Sequence, residues 1–324
     1  MIDELKKIKG EMQKIGIRKI LVELPEGLKY YIKDIKEIFE GFDIEFSGEN
    51  VYGSCDSCQE CHVDAIIHIG HSAIPNMPLL KKTYFLEYFK NIQKYPDSNI
   101  LRKKGCIKIG LFASVQYVNE LNKLKEYFEN EKFTVFIGIG DSRLKYPGQI
   151  LGCNFSSYDN IRLVDCNVVL TDGIFHPLGL SLYSGKKTFS LNPYSGELTE
   201  INNESFVRKR YALMERATKC RNFGIIVSRK IGQSRNFIAS KLRDMAIKGG
   251  KGGDIILMDE INSYKLENLP YDCFINTACP RVSIDDQENF KKIVLTVTEA
   301  SYILNGKIPE RYFMDTIFHV DGSR

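Results

Sequence analysis

Three cysteines of this 324-residue chain sit where a shared metal centre could be built. Cys55 lies in Tyr52-Gly53-Ser54-Cys55-Asp56, Cys153 follows Pro147-Gly148-Gln149-Ile150-Leu151-Gly152, and Cys279 lies in Asn276-Thr277-Ala278-Cys279-Pro280-Arg281. The first two segments are glycine-rich and turn-like, so backbone can approach a cluster closely. A thiolate in such a loop becomes a ligand once a cation is near. Cys106, Cys166, Cys220 and Cys273 belong to a different population, because they fall in or beside predicted strands where cysteine acts as a small buried hydrophobe. Nine cysteines, an odd number, fit metal ligands and core thiols better than a disulfide framework.

Cys58 and Cys61 complicate the assignment. Cys55 to Cys61 reads C-x-x-C-x-x-C, and with Cys279-Pro280 it imitates a ferredoxin ligand set. Four cysteinates would saturate a 4Fe-4S cluster and leave only electron transfer, whereas three leave one iron open to a substrate. Zinc held by Cys55, Cys58, Cys61 and His62 is a further option, although all four would crowd into eight residues. Among the other histidines, His71 and His176 occupy equivalent places just after apolar runs and are candidates for a pocket, while His68 lies within its run as a core residue.

The elements that must position these residues are betrayed by a repeat. Lys81-Lys82, Lys186-Lys187 and Lys291-Lys292 each open an apolar run, at a constant spacing of 105 residues. A second matched run begins at Asp64, Asp165 and Asp272. Each unit also starts with a β-branched-rich run (17–22, 107–112, 223–228), then a helical pattern and a further strand at about 42–46, 133–139 and 254–258. Alternating strands and helices imply right-handed crossovers and parallel sheets. The expected fold is α/β: three similar parallel-sheet domains, 1–101, 102–218 and 219–324, around a pseudo-threefold axis. In such sheets ligands bind at the carboxyl ends of strands, where the three cysteines fall. Glu26, just after the first strand, is placed to favour the start of a helix.

Composition narrows the function. With 43% hydrophobic and 27% charged residues the chain can bury real cores. A net charge of +4, from 45 basic and 41 acidic residues, is too balanced for a nucleic-acid binder. The amino terminus lacks a signal-peptide apolar region and no run is long enough to span a bilayer, which points to the cytoplasm and away from membranes.

The segments Leu24-Pro25-Glu26-Gly27-Leu28, Tyr52 to Asp56, Gly70-His71-Ser72, Gly148 to Cys153, Asp172-Gly173-Ile174-Phe175-His176-Pro177-Leu178-Gly179 and Asn276 to Arg281 resemble 2-(3-amino-3-carboxypropyl)histidine synthase, the archaeal enzyme family of the first step of diphthamide synthesis. The resemblance runs over nearly the whole chain. It implies a homodimer of three-domain subunits, one 4Fe-4S cluster on Cys55, Cys153 and Cys279, S-adenosylmethionine as cosubstrate and elongation factor 2 as protein substrate. It also implies a radical mechanism in which a 3-amino-3-carboxypropyl group adds to C2 of a histidine, and an electron donor whose identity the sequence does not name.

Within that resemblance Arg281 and Arg235 could meet a carboxylate with paired N–H donors. Gln149 and Gln233 could bind the methionine portion or the ribose, and His71 and His176 complete the expected cosubstrate pocket. No catalytic residue is assigned. Cys58 and Cys61 depart from the family pattern and leave the first-unit ligand less securely assigned than the other two. Two other functions compete: a quinolinate synthase-like 4Fe-4S lyase, against which the motif order argues, and a non-catalytic iron-sulfur electron carrier or scaffold.

Overall fold

A computed structural model of the chain describes residues 1–322. The first unit contains β1 (Lys19–Glu23), β2 (Asp43–Phe46), β3 (Ala65–Ile69) and β4 (Lys82–Leu86). The second contains β5 (Lys108–Ala113), β6 (Thr134–Phe136), β7 (Cys166–Leu170), β8 (Lys187–Leu191) and β9 (Leu198–Glu200). The third contains β10 (Asn222–Ser228), β11 (Gly252–Met258), β12 (Cys273–Asn276) and β13 (Ile293–Thr296). Sheet orders are β2-β1-β3-β4, β6-β5-β7-β8-β9 and β11-β10-β12-β13, and every pairing is parallel except β8 with β9. The same order recurs because the same run of apolar segments recurs: each lysine pair marks the start of a fourth strand.

The strand order reverses between the first and third strands of each unit, which opens a crevice at their carboxyl ends. The strands flanking it are buried on both faces, as parallel sheets require: β3, β7 and β12 have no exposed residue. Separate apolar clusters fill the three units, around Ile20 and Ile67, around Leu111 and Val168, and around Ile225 and Ile275.

The repeated aspartate ahead of each third strand has a defined task. Oδ2 of Asp64 accepts the main-chain N–H groups of Arg18 and Lys19 at 3.0 and 2.9 Å. Asp165 does the same for Ile107 and Lys108 at 2.9 and 2.7 Å, and Asp272 for Arg221 and Asn222, both at 2.9 Å. One carboxylate thus locks the amino ends of two neighbouring strands into register, at the edge remote from the crevice. Paired N–H donation holds all three carboxyls below their ordinary range.

Two expectations change, and one feature is new. The strand expected at 133–139 ends at Phe136, because Gly138 turns the chain against the Ser157 carbonyl, where no side chain would fit. Cys220 and Cys273, expected as independent buried thiols, are buried but joined in a disulfide with their Cα atoms 6.1 Å apart. The register explains it: Phe223 pairs with Cys273, bringing Cys220, three residues earlier, to the foot of the neighbouring strand. Cys106 and Cys166 occupy the equivalent positions of the second unit, where Ile109 pairs with Cys166, and are free thiols. Finally, the segment after the last helix (Val297–Leu304) runs back over all three units and buries Tyr312, Met314, Ile317 and Val320, which no strand or helix pattern had announced.

Candidate functional site

Cys55, Cys153 and Cys279 line one cavity of about 550 Å³ at the carboxyl ends of the strands, together with His71, His176, Gln233 and Arg281. Cys55 sits in a single turn (Ser54–Asp56) whose Asp56 Oδ2 accepts the N–H groups of Tyr52 and Gly53 at 2.8 and 3.1 Å. The other Asp56 oxygen receives Lys230 Nζ at 2.8 Å and Gln233 Nε2 at 3.1 Å, which ties this loop to the third unit. Gly232 makes that approach possible: a Cβ there would lie 2.5 Å from the Cys55 Cα. Gln233 Nε2 also donates to Cys55 Sγ at 3.3 Å.

Cys153 is held from outside its own unit. Its carbonyl accepts the Ile317 N–H at 2.7 Å, and Asn154 Nδ2 donates to the Ile317 carbonyl at 3.1 Å. Cys279 directly precedes the helix Pro280–Ile284, and Asn276 fixes its turn by donating to the Cys279 carbonyl at 2.8 Å and accepting from Ala278 N–H at 2.8 Å. Burial pushes the Cys55 thiol well up, with the Asp56, Cys279 and Cys153 charges adding to it. Burial and the facing Cys153 push Cys279 up to about 12.

Converging thiols that oppose one another's ionisation are a donor set that a polynuclear cation satisfies, since coordination deprotonates a thiol outright. The residues therefore fit an iron-sulfur cluster. Among the described residues no three Cys, His, Asp or Glu side chains converge tightly enough for a single ion. Cys58 and Cys61 stay outside the cavity, with Cys61 Sγ donating to the Cys58 carbonyl at 3.0 Å, and the ferredoxin-like set is not assembled.

Burial and the His68 charge lower His71 to about 3, and burial and the Arg281 charge lower His176 to about 4, so both rings are neutral near pH 7. Arg281 pairs with Asp285 at 2.8 Å and lies over the rings of Phe175 and Tyr52, 5.4 and 5.9 Å from their centroids.

Two residues expected at the cosubstrate have other partners and do not line the cavity. Gln149 accepts from the N–H groups of Lys145 and Tyr146, both at 3.0 Å, and donates to Ser72 Oγ at 2.8 Å. Arg235 donates to the carbonyls of Thr277 and Ala278 and to both oxygens of Asp315. Glu26 pairs with Lys29 at 2.5 Å in the turn after β1. Missed in the sequence was a link behind the cavity: fully buried His68 joins Glu23 Oε2 at 2.7 Å to His71 Nδ1 at 3.1 Å, so it is more than a core residue.

Comparison with known proteins agrees with this geometry. The model of the diphthamide synthesis protein family matches residues 24–313. The 2-(3-amino-3-carboxypropyl)histidine synthase of Pyrococcus horikoshii is 36% identical over 98% of this chain and 94% of its own length. Subunit 1 of the corresponding synthase of Saccharomyces cerevisiae is 28% identical over 98% of this chain and 79% of its own length. The crystal structure of Dph2 from Pyrococcus horikoshii with a 4Fe-4S cluster superposes with a TM-score of 0.88 at 34% identity, covering 99% of this chain and 95% of that one. With three cysteines from three like sheets meeting in one cavity, and with similarity of this extent, the chain belongs to the diphthamide synthesis protein family.

Proposed function

We propose that this chain is a 3-amino-3-carboxypropyl transferase of the first step of diphthamide synthesis, acting as a cytoplasmic homodimer. S-adenosylmethionine is its cosubstrate and a histidine of elongation factor 2 its substrate. The convergence of Cys55, Cys153 and Cys279 on one cavity carries the reading. The names of the relatives and the 4Fe-4S cluster in the Pyrococcus structure support it.

A cluster on three cysteines keeps one iron open, and the chemistry it supplies is a single electron to the sulfonium, which opens the methionine-side carbon–sulfur bond homolytically. The chain's own residues do the rest. Arg281, on the cavity wall, offers a guanidinium to the methionine carboxylate, and Gln233 offers an amide beside Cys55. Gln149 and Arg235 act at one remove, by holding Ser72 and the Asp315 segment around the cavity.

The test is anaerobic reconstitution with iron and sulfide, then dithionite, S-adenosylmethionine labelled in its aminocarboxypropyl portion, and elongation factor 2. Label is expected on the factor, with 5′-methylthioadenosine released. An intact cluster without label on the factor would overturn the reading.

A further inference from the structure

The product named by the relatives carries carbon at histidine C2, where the substrate carries hydrogen, so a proton must leave that atom. A base is therefore needed in the cavity, with somewhere to send the proton. His71 and His176 both line the cavity. Behind His176 lies Arg281, a cation that opposes a second positive charge, with Asp172 opposing it in turn.

Behind His71 lies a different arrangement. His71 Nδ1 is 3.1 Å from His68 Nε2, and His68 Nδ1 is 2.7 Å from Glu23 Oε2. Glu23 is 2% exposed, and its Oε1 accepts the Cys58 N–H at 2.6 Å. Glu23 also lines a second cavity, of about 320 Å³, shared with Asp56, Cys58 and Lys230. The chain of three side chains thus begins in the site cavity and ends in a neighbouring one.

Glu23 accepts from His68 Nδ1. With the His68 ring neutral, its Nε2 accepts in turn, so His71 donates from Nδ1. His71 Nε2 is then the accepting ring nitrogen, on a ring that lines the cavity with the Tyr52 carbonyl beside it. We propose that His71 is the base that takes the C2 proton of the substrate imidazole, with His68 and Glu23 as positioning residues that hold its accepting tautomer and pass the proton to the second cavity. This rests on the function proposed above.

Atoms and electrons balance. The 3-amino-3-carboxypropyl radical forms a bond to C2; the C2–H bond then breaks, its pair returning to the ring and its proton going to His71 Nε2. The surplus electron leaves to the oxidised 4Fe-4S cluster. As His71 gains a proton at Nε2 it gives up the one at Nδ1 to His68, which gives up its own to Glu23. No imidazolium has to persist in a buried site, where it is disfavoured.

The tautomers are read first without any cluster, by long-range ¹H–¹⁵N spectra of protein labelled in its five histidines. His68 and His71 should both be protonated at Nδ1; protonation of His71 at Nε2 overturns the relay. Coupling is read next, as product formed per S-adenosylmethionine cleaved, using elongation factor 2 deuterated at histidine C2. General-base loss is worth roughly 10²-fold or more, so His71→Gln and Glu23→Gln should each lower that ratio by about 10² and expose a deuterium isotope effect. An unchanged ratio in both variants, or an equal fall in cleavage and coupling, overturns the proposal, as does a ratio that falls only in His176→Gln. If unaltered protein transfers nothing, the proposed function fails, while the tautomers still judge the relay.

Discussion

The main-chain N–H of Ile317 donates to the carbonyl of Cys153 at 2.7 Å. A loop of the second unit is thereby held by the carboxyl-terminal segment, which is itself anchored in the third unit through Asp315 and Arg235 and reaches the first through Asn76 Nδ2, 2.9 Å from the Phe318 carbonyl. One extended segment joins the three units at the cavity.

Asp315 and Arg235 are 3% and 5% exposed by side chain, so removing one leaves the other charged, buried and unpaired. Asp315→Ala should cost about 3–5 kcal/mol. Urea unfolding should show a lower midpoint at an unchanged slope; a loss under about 1 kcal/mol would mean that the pair is solvated.

The three cavity cysteines and the two outside it should separate cleanly. Cys153→Ala and Cys279→Ala should abolish the visible absorption and bound iron of the reconstituted cluster, whereas Cys58→Ala and Cys61→Ala should retain both. Retention in Cys153→Ala with loss in Cys58→Ala would move the cluster to the C-x-x-C-x-x-C segment.

Asp64, Asp165 and Asp272 have folded-state values depressed below the ordinary 3.8. A depressed carboxylate contributes stability that is present above the unfolded value and lost as pH falls through the folded one. Urea midpoints should therefore decline with acid below about pH 4. The triple Asn variant, measured over the same range, should show a shallower decline; an unchanged slope would show that these carboxylates carry no linkage.

The Cys220–Cys273 disulfide closes a loop across a sequence separation of 53 residues. Chain-entropy arguments give such a cross-link about 4 kcal/mol. Cys220→Ser with Cys273→Ser should lower the urea midpoint accordingly, and thiol titration of the denatured, unreduced protein should find seven free thiols rather than nine.

The amino-acid sequence alone determined what local patterning can determine. Runs rich in β-branched residues make strands, their alternation with helical patterns makes parallel sheets, and parallel sheets gather the carboxyl ends of their strands on one edge. Cys55, Cys153 and Cys279 were legible because each follows or interrupts such runs, and their edge is set by strand direction.

Partnerships between distant segments were decided only by the tertiary structure. Cys220 meets Cys273 because of a strand register, and Glu23 meets His68 across 45 residues because β1 and β3 are neighbours. Arg235 and Gln149 carried the right chemistry for a ligand in the right place, yet their donors face Asp315 and Ser72. A side chain's type and its place along the chain say what it can bond to. Which partner it meets depends on packing between segments that are remote in sequence, and no local pattern encodes that.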